Sequence, residues 1–156
     1  MKTQIYYFSE TGNSLHIAGE LKKRVPGSSL VSMVAAERSD RLKAEAEKVG
    51  FVFPIHCLCV PLFVRAFLEK IDLSGATYLF AVTSRECSEK VFSTVNRVLS
   101  KQDRRLDASF SVQMPETYLP VFEVDTDEEI RRSKSAVRGR YHHPEVSAGE
   151  LIHSKN

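Results

Sequence analysis

The sequence predicts a single α/β domain in which a parallel sheet is covered by helices on both faces. Segments of strand composition alternate along the chain with segments of helical periodicity, and two of the strand segments are apolar almost throughout. An unbroken apolar strand is typical of a sheet with two buried faces. The 156 residues, 42% hydrophobic and 27% charged, suit one globular domain. We therefore expect residues 1–156 to form that domain, with 139–156 as a loosely packed tail.

Five segments are rich in β-branched and aromatic residues and are predicted to be strands. Two of them, 49–55 and 77–83, are nearly free of polar residues and should lie in the interior of the sheet. A third, 108–114, alternates apolar with polar residues, which is typical of an edge strand. The five predicted strands are 3–8, 30–34, 49–55, 77–83 and 108–114.

Apolar residues three and four positions apart predict the helices between these strands. The first begins near Asn13 and ends at Pro26–Gly27, and a later helix opens at Pro61. The apolar face of the first helix is predicted to contain Leu15, Ala18, Leu21 and Val25. The apolar face of the helix after Pro61 is predicted to contain Leu62, Phe63, Ala66 and Phe67.

Three further helices are predicted with different kinds of support. Residues 39–48 have weak apolar periodicity but good helix formers, with Ser39 or Asp40 as the cap. Thr126 and Glu129 form a plausible capping box for a last helix over 126–138. The clearest periodicity in the sequence is that of Val91, Phe92, Val95, Val98 and Leu99.

Charge and composition exclude several classes of protein. The net charge of +2 gives no argument for a nucleic-acid partner. No apolar run approaches the roughly 20 residues that span a bilayer, and the N-terminus lacks the apolar core of a signal peptide, so a cytoplasmic protein without a membrane partner is expected. Three cysteines supply neither a secreted disulfide framework nor a four-cysteine iron–sulfur site.

The loop after the first strand has the composition of an anion-binding turn. Ser9, Thr11, Asn13 and Ser14 can all donate hydrogen bonds, and Gly12 allows the backbone to approach a ligand closely. The helix that begins at Asn13 would add free N–H groups and a positive dipole end. An ordinary strand-to-helix turn capped by Ser or Thr is the alternative. The P-loop and dinucleotide-binding glycine motifs are both absent.

Four stretches together resemble the flavodoxin-like family. They are the loop "FSETGNS", the segment "VGFVFPIHCLCVPLFVRAFLEKIDLSGATYLFAVTS" at 49–84, the segment "VQMPETYLP" at 112–120, and the spacing between them. The resemblance covers about residues 1–138. It is sharpest with the flavodoxin-like domain that in many bacterial and archaeal proteins precedes a ferredoxin domain. It implies a three-layer α/β/α sandwich whose five-stranded parallel sheet has the order 2-1-3-4-5.

The same resemblance implies FMN as the cofactor. The phosphate would lie in the loop after the first strand, and the isoalloxazine ring between the loops after Pro54 and Thr83. The cofactor-binding residues implied for the phosphate are Ser9, Glu10, Thr11, Gly12, Asn13 and Ser14. Those implied for the ring are Pro54, Ile55, His56, Cys57, Leu58, Thr83, Ser84, Arg85, Glu86 and Cys87, with Tyr118 after the edge strand.

The two ring loops depart from the family's pattern. His56 stands where the family commonly has Tyr, and Arg85 and Glu86 occupy positions that are usually rich in glycine. Cys57 and Cys59 form a C-x-C pair, interpreted by default as small buried hydrophobes; a flavin-proximal thiol and a metal site with His56 are the alternatives. No catalytic nucleophile or acid–base pair is apparent.

The resemblance therefore predicts electron transfer through bound FMN. The expected partner is a redox protein, for instance of the ferredoxin type, or a small-molecule electron acceptor. An NAD(P)H-dependent FMN or quinone reductase is one alternative. A flavodoxin fold that has lost its flavin and acts as a binding or regulatory module is the other, motivated by the altered ring loops.

Overall fold

A computed structural model describes residues 2–84 and 89–113 of the chain. The predicted helix 126–138 and the predicted tail 139–156 lie outside these residues. Strands and helices alternate, as the sequence predicts. In chain order they are β1 (Thr3–Tyr7), α1 (Asn13–Arg24), β2 (Ser28–Ser32), α2 (Met33–Ala36), β3 (Lys48–Phe53), α3 (Leu62–Lys70), β4 (Tyr78–Thr83), α4 (Glu89–Leu99) and β5 (Ala108–Ser111), with a 3₁₀ turn over Ser100–Gln102.

The strands form one sheet in which every described pairing is parallel, in the order β2-β1-β3-β4-β5. This order confirms the predicted flavodoxin-like α/β fold. The two unbroken apolar strands, β3 and β4, lie inside the sheet, and β5 lies at its edge. An unbroken apolar pattern therefore marks the two interior strands, and an alternating pattern marks the edge strand β5.

The sheet separates two hydrophobic cores, because successive side chains of a strand point to opposite faces. On one face, α1 packs Ile17 and Leu21 into a cluster that includes Ile5 and Val52. The other core lies on the opposite face and includes residues of α3 and α4 together with the strand residues that alternate with the first set. Its largest fully buried members are Tyr6, Met33, Phe51, Phe53, Phe67, Leu68, Ile71, Leu73 and Leu99.

The helix predicted for 39–48 is wrong. In the described chain between β2 and β3 the only helix is the four-residue α2, and the segment that follows it is extended beside Asp72. The backbone N–H of Ala44 donates to the carbonyl of Asp72 at 3.0 Å, and the N–H of Asp72 donates to the carbonyl of Leu42 at 2.9 Å. Leu42, Ala44 and Ala46 are the covered residues here, with a period of two. The tertiary pairing overrides the helix propensity of this segment.

Two predicted helix faces are partly wrong. Ala18, Leu21 and Val25 are buried as expected, but Leu15 is 44% exposed. In α3 the buried residues include Phe67, whereas Leu62 is 83% exposed at the start of the helix. Both exposed leucines lie in the first turn of a helix, near the ends of β1 and β3, where no further layer of the described chain covers them.

The predicted face of α4 is confirmed. Val91, Val95, Val98 and Leu99 are buried, and Phe92 packs against the same core while partly exposed. None of the helices in residues 2–84 and 89–113 is long and apolar enough to cross a bilayer.

Inside the sheet, Phe80 leaves no room for a side chain at Gly50. A Cβ atom at this position would lie 2.2 Å from the ring of Phe80, the residue paired with it on β4. Both residues are buried, so the ring of Phe80 occupies the volume that any larger residue at position 50 would need.

We predict that Gly50→Ala lowers the free energy of unfolding by about 1–3 kcal/mol, because the added methyl group overpacks a filled core. Urea denaturation followed by circular dichroism measures the change. Gly19→Ala is the matched control: the residue is inside α1, and nothing lies within 4 Å of the position that its added methyl group would take. This control should raise stability by about 0.5–1 kcal/mol. Equal effects of the two substitutions would contradict the packing assignment.

Candidate functional site

The carboxyl ends of three strands meet at one edge of the sheet. Tyr7 of β1 is in register with Val52 of β3, and Phe53 is in register with Thr83 of β4. The loops that follow these strands therefore begin side by side. β1 is paired with β2 on one side and β3 on the other, so the chain reverses its direction of progress across the sheet at this point. Ligands of open parallel sheets bind at such a switch point.

The loop after β1 closes onto the start of α1 through Gly12. Its backbone has φ +93°, a left-handed conformation that favours glycine. The Gly12 N–H donates to Ser9 Oγ at 3.1 Å, and its carbonyl accepts from the His16 N–H at 2.9 Å. Gly12 itself has no side chain with which to cap the helix, and the first turn of α1 contains no acidic residue. The positive end of the helix dipole is therefore not offset by an acidic side chain within that turn.

Ser14 adds a buried hydroxyl to this helix end. The residue is 1% exposed, and its Oγ has no hydrogen-bond partner among the described residues. A buried polar atom left in this state costs about 1–3 kcal/mol, and native structures contain few of them. The hydroxyl and the N–H groups of the first turn together form a set of neutral donors suited to an anion.

A close contact between an imidazole and a carboxylate joins the loop after β1 to the loop after β3. Nε2 of His56 lies 2.7 Å from Oε2 of Glu10, and both side chains are about half exposed. Sequence reasoning named both residues but missed their contact. The signal that could have found it was the presence of one acidic and one imidazole side chain in two loops already expected to converge.

The loop after β3 ends in a tight turn over residues 56–59. The N–H of His56 donates to the carbonyl of Cys59 at 3.0 Å, and the N–H of Cys59 donates to the carbonyl of His56 at 2.7 Å. The two central residues, Cys57 and Leu58, have φ values of 46° and 63°. Positive φ at both central positions is the conformation of a type I′ turn, which normally selects Asn or Gly.

The structure corrects the default interpretation of the C-x-C pair. Cys57 and Cys59 are both exposed rather than buried, and Leu58 between them is 69% exposed. Within residues 2–84 and 89–113, no three His, Cys, Asp or Glu side chains are grouped so that they could hold a metal ion.

The remaining predicted residues occupy different parts of this edge. Pro54 and Ile55 are half-buried, while Thr11 is exposed beside Gly12. Ser84 is buried, and its N–H donates to the carbonyl of Phe53 at 3.3 Å. The buried Thr83 hydroxyl lies 3.3 Å from Ser111 Oγ and 3.5 Å from the Phe110 carbonyl, so it faces β5. The predicted residues Arg85, Glu86, Cys87 and Tyr118 lie outside the described residues.

An aromatic pair borders the same edge and was not predicted. The rings of Phe8, directly after β1, and Phe63, in the first turn of α3, stack with centroids 5.0 Å apart and an interplanar angle of 25°. Both residues pack against the core while remaining partly exposed. Their positions at the ends of elements predicted to converge were the available signal.

We predict that Leu58→Gly raises the free energy of unfolding by about 0.5–1 kcal/mol, because glycine relieves the cost of a positive φ that exceeds its own entropic cost. Thermal and urea unfolding measure the change. Leu58→Ala is the matched control, since it removes the same exposed side chain but keeps the strained backbone. Indistinguishable stabilities of the Gly and Ala variants would be the contrary result.

Comparison with known proteins shows the fold. No protein-family model matches the sequence, and no curated protein matches it. Among solved structures, a candidate flavoprotein from Bacteroides uniformis is similar, with 17% identity and a TM-score of 0.55 over 72% of this chain and 90% of that one.

Two further solved structures are similar over nearly their whole length. The Trp repressor binding protein from Bacillus subtilis has 11% identity and a TM-score of 0.57, with 99% of each chain covered. A short-chain flavodoxin associated with a PDU bacterial microcompartment has 14% identity and a TM-score of 0.50, over 89% of this chain and 96% of that one. At these identities the likeness is one of fold, and this chain has the flavodoxin-like fold.

Proposed function

We propose that this protein is a flavoprotein that binds FMN at the switch-point edge and transfers electrons through it. The observation that carries the proposal is the Ser14 hydroxyl, buried and unpartnered among the described residues at the N-terminus of the 12-residue helix α1. A phosphate group would accept from this hydroxyl and from the backbone N–H groups around it. The flavodoxin-like fold of the chain, and the description of similar structures as flavodoxin and candidate flavoprotein, support flavin as the compound that carries the phosphate.

In this proposal the phosphate is held by neutral donors. The loop Ser9–Ser14 contains no Lys or Arg, so hydroxyl groups, an amide and helix N–H groups would supply the hydrogen bonds. Glu10 is the single acidic side chain of the loop. Its Oε2 lies 2.7 Å from Nε2 of His56, so this carboxylate contacts the loop after β3.

The loop over 54–59 and the residues after Thr83 would hold the flavin ring. Bound FMN supplies the one-electron and two-electron chemistry, while the chain supplies binding and orientation. The turn over 56–59 has a backbone fixed by two hydrogen bonds, which suits a surface against which a rigid ring is positioned. The exposed side chains of Leu58 and Leu62 provide apolar area at this end of the site.

Electron transfer needs no protein nucleophile, and the neutral donors of the site serve binding rather than acid–base catalysis. The partner in this proposal is a redox protein, of which ferredoxins are one class, or a small-molecule acceptor. The net charge of the chain is only +2, so long-range electrostatic attraction to a charged partner would be weak.

Ser14→Ala should have opposite effects on the flavin-free and flavin-bound protein. In the flavin-free protein it removes a buried unpaired hydroxyl, so stability should stay constant or rise by about 1 kcal/mol. The Kd for FMN should rise about tenfold, which corresponds to the loss of one hydrogen bond to a charged group. The Kd for riboflavin, which has no phosphate, should not change. Quenching of flavin fluorescence measures both constants.

The matched control is Ser93→Ala, which removes an exposed helical serine from α4 and should alter neither constant. Equal weakening of FMN and riboflavin by Ser14→Ala would refute the phosphate assignment. The double substitution Thr11→Ala with Asn13→Ala tests the same assignment from the exposed side of the loop.

A second experiment separates a carrier from a reductase and from a binding module. We expect the purified chain to bind added FMN with quenched fluorescence, and to oxidise NADH or NADPH no faster than free FMN does under the same conditions. Saturable acceleration of NADH or NADPH oxidation would favour a reductase. Failure to quench FMN fluorescence would refute the flavoprotein proposal and favour the binding module.

A further inference from the structure

Two exposed thiols occupy the same tight turn at the edge of the site. Cys57 lies at the first central position of the turn over 56–59, and Cys59 is its last residue. Neither side chain contributes to the core, so packing does not explain why cysteine stands at these positions. Turn chemistry does not explain Cys57 either, because a positive φ at this position favours Asn, Asp or Gly. Reactivity is the remaining property by which cysteine differs from other small residues.

The turn keeps the Cα atoms of the two cysteines at a separation that a disulfide can span. Consecutive Cα atoms are about 3.8 Å apart, so residues two apart in a folded turn are separated by about 5–7 Å. Disulfides usually join Cα atoms about 4.4–6.8 Å apart. The two hydrogen bonds between His56 and Cys59 hold this turn closed while both cysteines are reduced. Little chain entropy therefore remains to be lost when the ring closes.

The surroundings of the pair favour reversible thiol–disulfide exchange over a permanent disulfide or a metal site. No third His, Cys, Asp or Glu joins the two cysteines as a metal-binding group within the described residues. A disulfide formed here would be exposed and would close a very short loop on a turn whose central residues already have positive φ. Exposed and strained disulfides are the ones that are readily reduced, in contrast to structural disulfides.

We propose that Cys57 and Cys59 form a thiol–disulfide exchange site for low-molecular-weight disulfides. One thiolate attacks the sulfur–sulfur bond of the small disulfide, forms a mixed disulfide with one half and releases the other half as a thiolate. The second cysteine thiolate then attacks the cysteine sulfur of the mixed disulfide, closes the Cys57–Cys59 bond and releases the second half. The dithiol has been oxidised by two electrons, the small disulfide has been reduced to two thiols, and the cysteine protons end on those thiols through solvent. This activity does not depend on bound flavin.

The test exposes the purified full-length chain to glutathione disulfide, alkylates the remaining thiols and digests the protein with trypsin. Cleavage after Lys48 and Arg65 yields the peptide 49–65, which contains both cysteines and no others. We expect this peptide to lose two hydrogen atoms in mass and to carry neither alkyl groups nor glutathione. Treatment with excess reduced glutathione should restore the dithiol.

Single substitutions test the second step. Cys57→Ser and Cys59→Ser should each stop at the mixed disulfide, so that the peptide retains one glutathione. Ser93→Ala, which keeps both cysteines and alters only an exposed residue of α4, should close the disulfide as the unaltered chain does. A peptide 49–65 that stays reduced, retains glutathione in the unaltered chain, or is linked to the peptide 86–90 containing Cys87 would overturn the proposal.

Discussion

The pairing of β1 on both of its edges is the constraint on which the rest of this structure depends. With β2 on one side and β3 on the other, the chain must cross the sheet in both directions from the same strand. Right-handed crossovers then place α1 on one face and α3 on the other. The carboxyl end of β1 consequently lies between helices on opposite faces of the sheet, and the loops after β1 and β3 begin side by side there.

This edge of the sheet combines a hydrogen-bonded turn over 56–59 with two local departures from the usual preferences of residues. Ser14 buries a hydroxyl without a partner among the described residues, and the turn at Cys57 and Leu58 adopts positive φ without glycine. Neither departure helps the ligand-free chain to fold, and each costs on the order of 1–3 kcal/mol. Departures of this kind are expected at functional positions, where stability is exchanged for a particular arrangement of groups. Both occur at the same edge of the sheet, one in the first turn of α1 and the other in the turn over 56–59.

Alternation and periodicity were sufficient to predict the layers of the fold. The apolar strands β3 and β4 and the amphipathic helix α4 are recognisable because each buries side chains with a regular spacing. The segment 39–48 was mispredicted because its good helix formers compete with a tertiary pairing to Asp72 that no local pattern encodes. The outward position of Leu15 and Leu62 was missed for a related reason, since periodicity identifies a face but not where along a helix its cover ends.

The site was only partly predictable from the sequence. The composition of Ser9–Ser14 indicated an anion-binding turn, yet only coordinates could reveal that Ser14, rather than the exposed Thr11, is the buried donor without a partner in the described chain. The C-x-C spacing was visible, but the exposure of the pair and the positive φ values of Cys57 and Leu58 are seen only in the structure. Backbone conformations of this kind are not encoded by the residues found there, because Cys and Leu ordinarily avoid them.

The contact between Glu10 and His56 has a consequence for how the two loops can change. Because both side chains are about half exposed, the pair is screened by solvent and adds about 1 kcal/mol or less to stability. The contact matters mainly for geometry, because it joins the loop Ser9–Ser14 to the turn that carries Cys57 and Cys59. Substitutions in one loop therefore alter the setting in which substitutions in the other act. A change in one loop is then favourable only if it is compatible with the residues of the other loop, so the two loops are expected to change together.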